Sequence, residues 1–315
     1  MAQTQSIKVG PLKVGELKEA SRIMRLAFGT FLGLPNPLEF MGDRDFMTPR
    51  WRSANVKVLA AREGRRLVGT NLLTRWGSFG FFGPLTVLPE YWDRKVAQLL
   101  LERTINTFDR WGLKHSGLFT FPHSAKHVGL YQKFGYWPGY LTAIMKHTPS
   151  ETGLPKSDNA PILLSKLARS ERVAAIKSCE RITDGIEKGL DLGGEIRAVL
   201  AQRAGDVVLR NRRGVPEAFA VCMNGAGSEG GKRVCYIKFG AARNGDGFDR
   251  LLDACESFAI SRDAELEAGV NLACEDAFWR MRARGYQAAM QGVAMQRPHV
   301  EGFNRADVYV MNDWR

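Results

Sequence analysis

No stretch of about 20 consecutive apolar residues occurs in the 315-residue chain, so no membrane span is expected. The opening "MAQTQSIKVG" has no apolar core of the kind a secretory signal needs. No cysteine precedes Cys179, and the five present (Cys179, Cys222, Cys235, Cys255, Cys274) show neither CxxC nor Cys/His zinc spacing. Their odd number and late placement argue against a disulfide framework. Free, buried thiols in a reducing cytoplasm are expected, with no metal. Acidic residues are scarce in one half only: residues 1–150 hold 10 Asp+Glu against 21 Lys+Arg, and residues 151–315 hold 23 against 24. Nearly all of the net charge of +12 therefore lies in the first half. Such a half suits an anionic partner (a phosphorylated small molecule, a nucleic acid or an acidic protein) or is simply a solvated basic face.

The chain has enough apolar residues, 44%, to build real cores, and its length suits one large or two ordinary domains. "TPSETGLPKSDNAP", Thr148 to Pro161, has three prolines and no apolar periodicity. It marks a linker over 148–160 between domains 1–147 and 161–315. In the first half, "KEASRIMRLAFGTFLGL" has helical spacing at Ile23, Leu26 and Ala27. A hairpin is expected to turn near Glu63-Gly64, and "SFGFFGPLTVL" is the next strand. "KVAQLLLERTINTFDRWG" carries an apolar helical stripe ending at Gly112. A short strand "HSGLFTF", a helix "AKHVGLYQKFGY" closed by Gly135, and a strand "WPGYLTAIMKH" complete the half. The second half repeats the order: a hairpin turning near Arg213-Gly214, a strand "KRVCYIKFGAA", a Leu-Leu helix, a strand "ELEAGVN", a helix closed by Gly285 and a last strand. Gly135 follows Leu100 at nearly the distance at which Gly285 follows Leu251, which points to a diverged internal repeat.

In "GPLTVLPEYWDRKVAQLL", a strand breaks at Pro89 and gives way to a helix just after Arg94 and Lys95. Cations at a helix N-terminus oppose its dipole by roughly 0.3–1 kcal/mol each. Two together make sense if an anion normally sits among them. Val87, Pro89, Ala97, Leu99 and Leu100 here, and Leu130, Tyr131, Lys133, Gly135 and Tyr136 in "SAKHVGLYQKFGY", resemble two ordered motifs of the GNAT (Gcn5-related N-acetyltransferase) superfamily. The resemblance covers most of residues 1–147 and recurs more faintly after the linker. It implies an α+β fold of two tandem GNAT-like domains, each a mixed, mostly antiparallel sheet flanked by helices.

By the same resemblance, the activity is transfer of acetyl, or another acyl group, from acyl-CoA to a small-molecule or peptide amine. The backbone of Thr86, Val87 and Leu88 would hold the pantetheine arm. The amides of Arg94, Lys95, Val96 and Ala97 would hold the pyrophosphate, with Ser124 where the family usually has Asn. Tyr131 matches the general acid. His123, just past the "GLFTF" strand, is a candidate base, with Glu90 and Glu39 behind it, or there is no dedicated base. The chain departs from the pattern at Trp92, where Arg or Gln is usual, and at Lys95, where Gly is usual. Lys95 either crowds the phosphates or binds them.

In the second half Asp246 stands at the glycine position and Met281 at the tyrosine position, so the first half is the better catalytic candidate. Two alternatives stay open: a non-catalytic acyl-CoA-binding protein on a degenerate GNAT scaffold, and a nucleic-acid-binding module. No RNP, helix-turn-helix or zinc motif supports the latter. "GAGSEG", Gly225 to Gly230, matches a dinucleotide fingerprint only literally; with no helix after it, it reads as a flexible hairpin loop. The tail from His299 onward is expected to dock as a terminal strand or to reach across the two lobes, with a substrate role for Asp307 or Asp313 as the alternative.

Overall fold

In the computed structural model of the protein, residues 6–150, 161–212 and 214–315 are described. The proposed linker, 148–160, lies mostly outside them, as does Arg213 of the expected second-half turn. The first half runs β1 (Ile7–Pro11), α1 (Leu17–Phe31), α2 (Met47–Trp51), β2 (Val56–Glu63), β3 (Arg66–Trp76), β4 (Phe79–Val87), α3 (Val96–Arg110), β5 (His115–Thr120), α4 (Ala125–Gln132) and β6 (Trp137–His147). The second runs β7 (Ile162–Leu163), α5 (Arg169–Ile186), α6 (Gly193–Gln202), β8 (Gly205–Arg212), β9 (Val215–Gly225), β10 (Gly231–Ala242), α7 (Gly245–Ile260), β11 (Glu265–Asn271), α8 (Glu275–Ala283), β12 (Gln287–Arg297) and β13 (Tyr309–Met311). The elements end where the local chemistry directs. Gly64 turns the first hairpin, and Gly112, Gly135 and Gly285 close α3, α4 and α8, all four with positive φ that a side chain would resist.

All strands form one mixed sheet, in the order β1-β2-β3-β4-β5-β12-β6-β11-β10-β9-β8-β7, with β13 on β10. Only β4–β5 and β10–β11 are parallel among the described pairs. The two halves exchange their last strands. β12 pairs with β5 (Val293 opposite Thr120) and with β6 (Gly292 opposite Thr142), while β6 also pairs with β11 (Thr142 opposite Asn271). The cores follow the exchange. Val293 and Met295 of β12 pack in the first core, and Ala143 and Met145 of β6 pack in the second with Trp76, Phe79 and Phe81.

Buried ions join the halves. Arg50 of α2 is fully buried; its Nη2 lies 2.6 Å from Glu229 Oε2, and its Nη1 donates to the Gly83 carbonyl at 2.9 Å. Lys238 of β10 lies 2.6 Å from Glu229 and 2.8 Å from Glu195. Glu195 also accepts from the Trp76 indole at 3.1 Å. Glu229 comes from the "GAGSEG" segment, which is a hairpin loop as expected but a docked one: Asp45 N–H donates to the Ser228 carbonyl at 2.9 Å, and Ser228 and Glu229 are fully buried. The tail also docks. Asp313 accepts from Tyr236 and pairs with Arg315, and Asp307 pairs with Arg305. All five cysteines are free and buried, and no helix among the described residues is long and apolar enough to cross a membrane.

Burial alone would raise the Glu229 carboxyl, but Arg50 and Lys238 outweigh it and hold it at about 2, below its ordinary 4.5. The stability it contributes is therefore present above pH 4.5 and is lost as pH falls toward about 2. Glu229→Gln leaves two buried cations short of a partner and is expected to cost about 3–5 kcal/mol. Thermal melts from pH 7 to pH 3 should show the variant less stable at neutral pH and less acid-sensitive than the parent.

Candidate active site

β4 pairs with β5 only over Phe79–Phe81; beyond Phe81 the two strands part, and β4 keeps only its β3 partner. The parting starts at a bulge, where two β3 residues (Asn71, Leu73) face Leu85 and Phe82 across the Gly83–Pro84 step. Arg50 holds the Gly83 carbonyl there. The result is a strand edge, Leu85 to Val87, that no strand covers, leading directly into the turn before α3. Thr86 is buried, its hydroxyl 2.9 Å from that of Thr70, and its carbonyl lies toward β3, where a Cβ on Gly69 would come within 2.8 Å of it, so the edge is offered by Leu85 and Val87. Leu88 is buried too, and its N–H donates to Val68.

The turn brings Arg94, Lys95, Val96 and Ala97 to the start of α3. Lys95 is the N-cap, with φ 60° and no side-chain cap on the amides that follow. First-turn amides have no acceptor inside their own helix, so this end presents N–H groups and the positive end of the dipole. Lys95 is exposed and holds the left-handed conformation that glycine takes without strain. Arg94 differs from the expectation that it adds free charge to the site. It lies 2.6 Å from Glu63 and stacks 4.4 Å over the Tyr91 ring, so its charge is already matched. Trp92 plays a part that spacing did not reveal: its indole N–H donates to the Val87 carbonyl at 2.9 Å.

α4 flanks the same cleft. Ser124 caps it, accepting the His127 N–H at 3.4 Å, so its hydroxyl is engaged with its own helix. Tyr131 is buried, with its ring 5.8 Å from that of Phe82 at the bulge. Burial pushes its phenol up to about 12, partly offset by a hydrogen bond with Thr120, so the proton stays on at neutral pH. His123 is exposed, 5.8 Å from Phe121 and 6.1 Å from Phe31. Of the other base candidates, Glu90 pairs with Arg66 and Glu39 accepts from Asn36, both at the surface.

The second half builds the same cleft and fills it. β10 pairs with β11 only over Val234–Ile237, and beyond that β13 lies on β10, with Gly240 opposite Met311 and Ala242 opposite Tyr309. Asn312 N–H donates to Gly269 of β11 at 2.8 Å, which closes the other side. The start of α7 is capped by Asn244, which accepts the Gly247 N–H at 2.9 Å. The Arg280 guanidinium covers Gly245 so closely that a Cβ there would lie 2.5 Å from its Nη2. Arg280 is held by Asp249 and Asp276, and Asp276 also takes the Tyr309 hydroxyl. Met281, where Tyr131 stands in the first half, is buried and has no proton to give.

Residues 27–136 match the acetyltransferase (GNAT) family model. No curated protein sequence matches the chain. Among solved structures, a candidate acetyltransferase from Pyrococcus horikoshii superposes with a TM-score of 0.72 at 14% identity, covering 98% of this chain and 95% of that one. A GCN5-related N-acetyltransferase from Sphaerobacter thermophilus gives 0.59 at 11% identity, covering 92% and 95%. A tandem GNAT protein from the clavulanic acid biosynthesis pathway gives 0.58 at 12% identity, covering 92% and 98%. At such identities the structures speak for the fold, and the family match speaks for the segment that carries the open cleft. Residues 27–136 thus match the GNAT family model, and the chain as a whole has the two-domain fold of tandem GNAT proteins.

Proposed function

We propose that the protein is an acyl-CoA-dependent N-acyltransferase, cytoplasmic, with one working site in the first lobe, residues 1–147. One observation carries this reading: the free edge of β4 and the uncapped start of α3 are open together in the first half, and both counterparts are filled in the second. The backbone of Leu85 to Val87 would pair with the amide-rich arm of acyl-CoA, as an added strand does. The amides of Lys95, Val96 and Ala97 would take the pyrophosphate, with the Lys95 ammonium as a further anion contact.

The amine would attack the thioester carbonyl directly, forming C–N and breaking C–S. Tyr131, buried and protonated, would donate its hydrogen bond to the leaving thiolate. A second reading, a non-catalytic acyl-CoA-binding protein, is favoured by the Trp92 contact, because that indole occupies a carbonyl that the arm would use.

Calorimetric titration with acetyl-CoA should give one equivalent per chain; two equivalents, or none, would remove the reading. An acyl-CoA at about 100 times its dissociation constant should add about 2.7 kcal/mol to stability. Tyr131→Phe should lower turnover by on the order of 10²-fold with acetyl-CoA affinity kept, whereas a binding protein shows no turnover to lose. Lys95→Gly should relieve left-handed strain and raise the melting temperature by roughly 2–4 °C. It should also weaken CoA binding, and unchanged affinity would make Lys95 a bystander.

A further inference from the structure

A cluster of aromatic rings lies beyond the end of β5, between α1 and α4. Phe28 and Phe31 come from the last turn of α1, Phe40 from the loop that follows, Phe121 and His123 from the segment after β5, and His127 from α4. Phe28 stacks on Phe40 at 5.2 Å; Phe31 lies 5.0 Å from Phe121 and 4.8 Å from His127. The loop that presents Phe40 is strapped down. Arg25 donates to the carbonyls of Phe40, Gly42 and Arg44, and α1 meets the loop so closely at Gly29 that a Cβ would lie 2.3 Å from the Pro37 carbonyl oxygen. Yet the four phenylalanines are only half-buried, and Leu34 and Leu38 beside them are exposed.

His127 and Tyr131 are four residues apart on α4, so they share one face, one turn from each other. Tyr131 faces Phe82, where β4 leaves β5, and hydrogen-bonds Thr120, the residue before Phe121, so the cluster begins next to the point at which Tyr131 would meet the thioester. The charged groups around His127 are few. Lys126 is its neighbour and pairs with Asp93 at 2.6 Å; His123 faces it; α1 and its loop bring Arg25, which is bound to carbonyls, and Glu39, which accepts from Asn36. Among the described residues the ring cluster contains no carboxylate to hold an ammonium. Such a place suits a monoamine on a body that can stack, which gives up its ammonium proton to water on entering.

We propose that this patch is the acceptor subsite, that it takes a primary amine carried on a flat apolar body such as an arylalkylamine, and that His127 receives the proton that the amine sheds. The inference rests on the acyltransferase reading above. The amine nitrogen bonds to the thioester carbon, and the C–S electron pair leaves with sulfur. The nitrogen's proton passes to His127, and the thiolate takes one from Tyr131. Water then carries a proton from His127 back to Tyr131, so the balance is amine plus thioester to amide plus thiol. Burial, then Lys126 and His123, lower the His127 pKa from its ordinary 6.5, so it is neutral at pH 7 and free to accept.

Two measurements test this. In the first, 2-phenylethylamine and spermidine are titrated onto the full chain, with and without saturating CoA. The arylalkylamine should bind, at least about 10-fold more weakly in Phe31→Ala and Phe121→Ala, and spermidine should not. No binding of 2-phenylethylamine, or affinity indifferent to both substitutions, overturns the subsite. Failure of CoA to bind while the amine still does so would overturn the acyltransferase reading instead, and leave the subsite standing. In the second, kcat with acetyl-CoA and 2-phenylethylamine is followed against pH. The parent should lose activity on an acid limb below 6.5. His127→Gln should be slower by on the order of 10²-fold and lack that limb, while His123→Asn retains it. An unchanged profile in His127→Gln, or amine binding with no turnover by the parent, overturns the role of His127.

Discussion

Each half of this chain completes its sheet with a strand from the other. β12 lies between β5 and β6, and β6 lies between β12 and β11, so each half covers the edge that the other leaves open, β5 in the first and β11 in the second. An uncovered edge of that length is a template for wrong pairing, and exchange removes it. The same geometry brings α2 against the β9–β10 loop and buries Arg50, Glu229, Lys238 and Glu195 together. Such ions are tolerated in a dry interior only while each is matched, which makes the joint between the halves specific as well as tight. Arg50 carries that joint into the first cleft, because its remaining N–H group fixes the Gly83 carbonyl at the bulge where β4 turns away from β5.

The two clefts show how one scaffold reaches opposite ends. Both begin as a parallel pair that separates after three or four residues and leads to a helix N-terminus. In the first half an eight-residue connection, Leu88 to Lys95, leaves the amides of α3 uncapped and the edge uncovered by a strand, with the Trp92 indole on the Val87 carbonyl. In the second, the connection is only Arg243-Asn244, and Asn244, Arg280 and β13 satisfy the donors that a ligand would otherwise meet. Open amides and an uncovered edge are met by water in the resting protein and stay available to an anionic, amide-rich ligand. A filled cleft has nothing left to bind with. The basic first half and near-neutral second half agree with this division.

Much of this was legible in the residues. Apolar periodicity marked α3, a Leu-Leu pair marked α7, Gly64 and Gly112 marked turns, the paired motifs around Val87 and Tyr131 pointed to the fold of the first half, and the matched spacing to Gly135 and Gly285 showed its repetition. Less was legible in the site. Spacing offered Arg94 as a free cation, but Glu63, thirty-one residues upstream, had already claimed it. It took "GAGSEG" for a flexible loop, since nothing local says that Asp45 and Arg50 wait for it. His127 drew no attention beside His123, because only the packing of α1 against α4 sets Phe31 over the inner ring.

By itself, then, the sequence determined the order of elements from the first hairpin of each half onward and the twofold repeat, and it pointed to the family that residues 27–136 match; β1, α2, β7, α5 and α6 it did not announce. Those depend on residues a few positions apart, where backbone geometry and side-chain period act directly. Tertiary structure alone decided which strands pair across the halves, which cleft stays open and which charges are matched. Those are contests between groups far apart in the chain, settled only when folding brings competing partners within hydrogen-bonding distance.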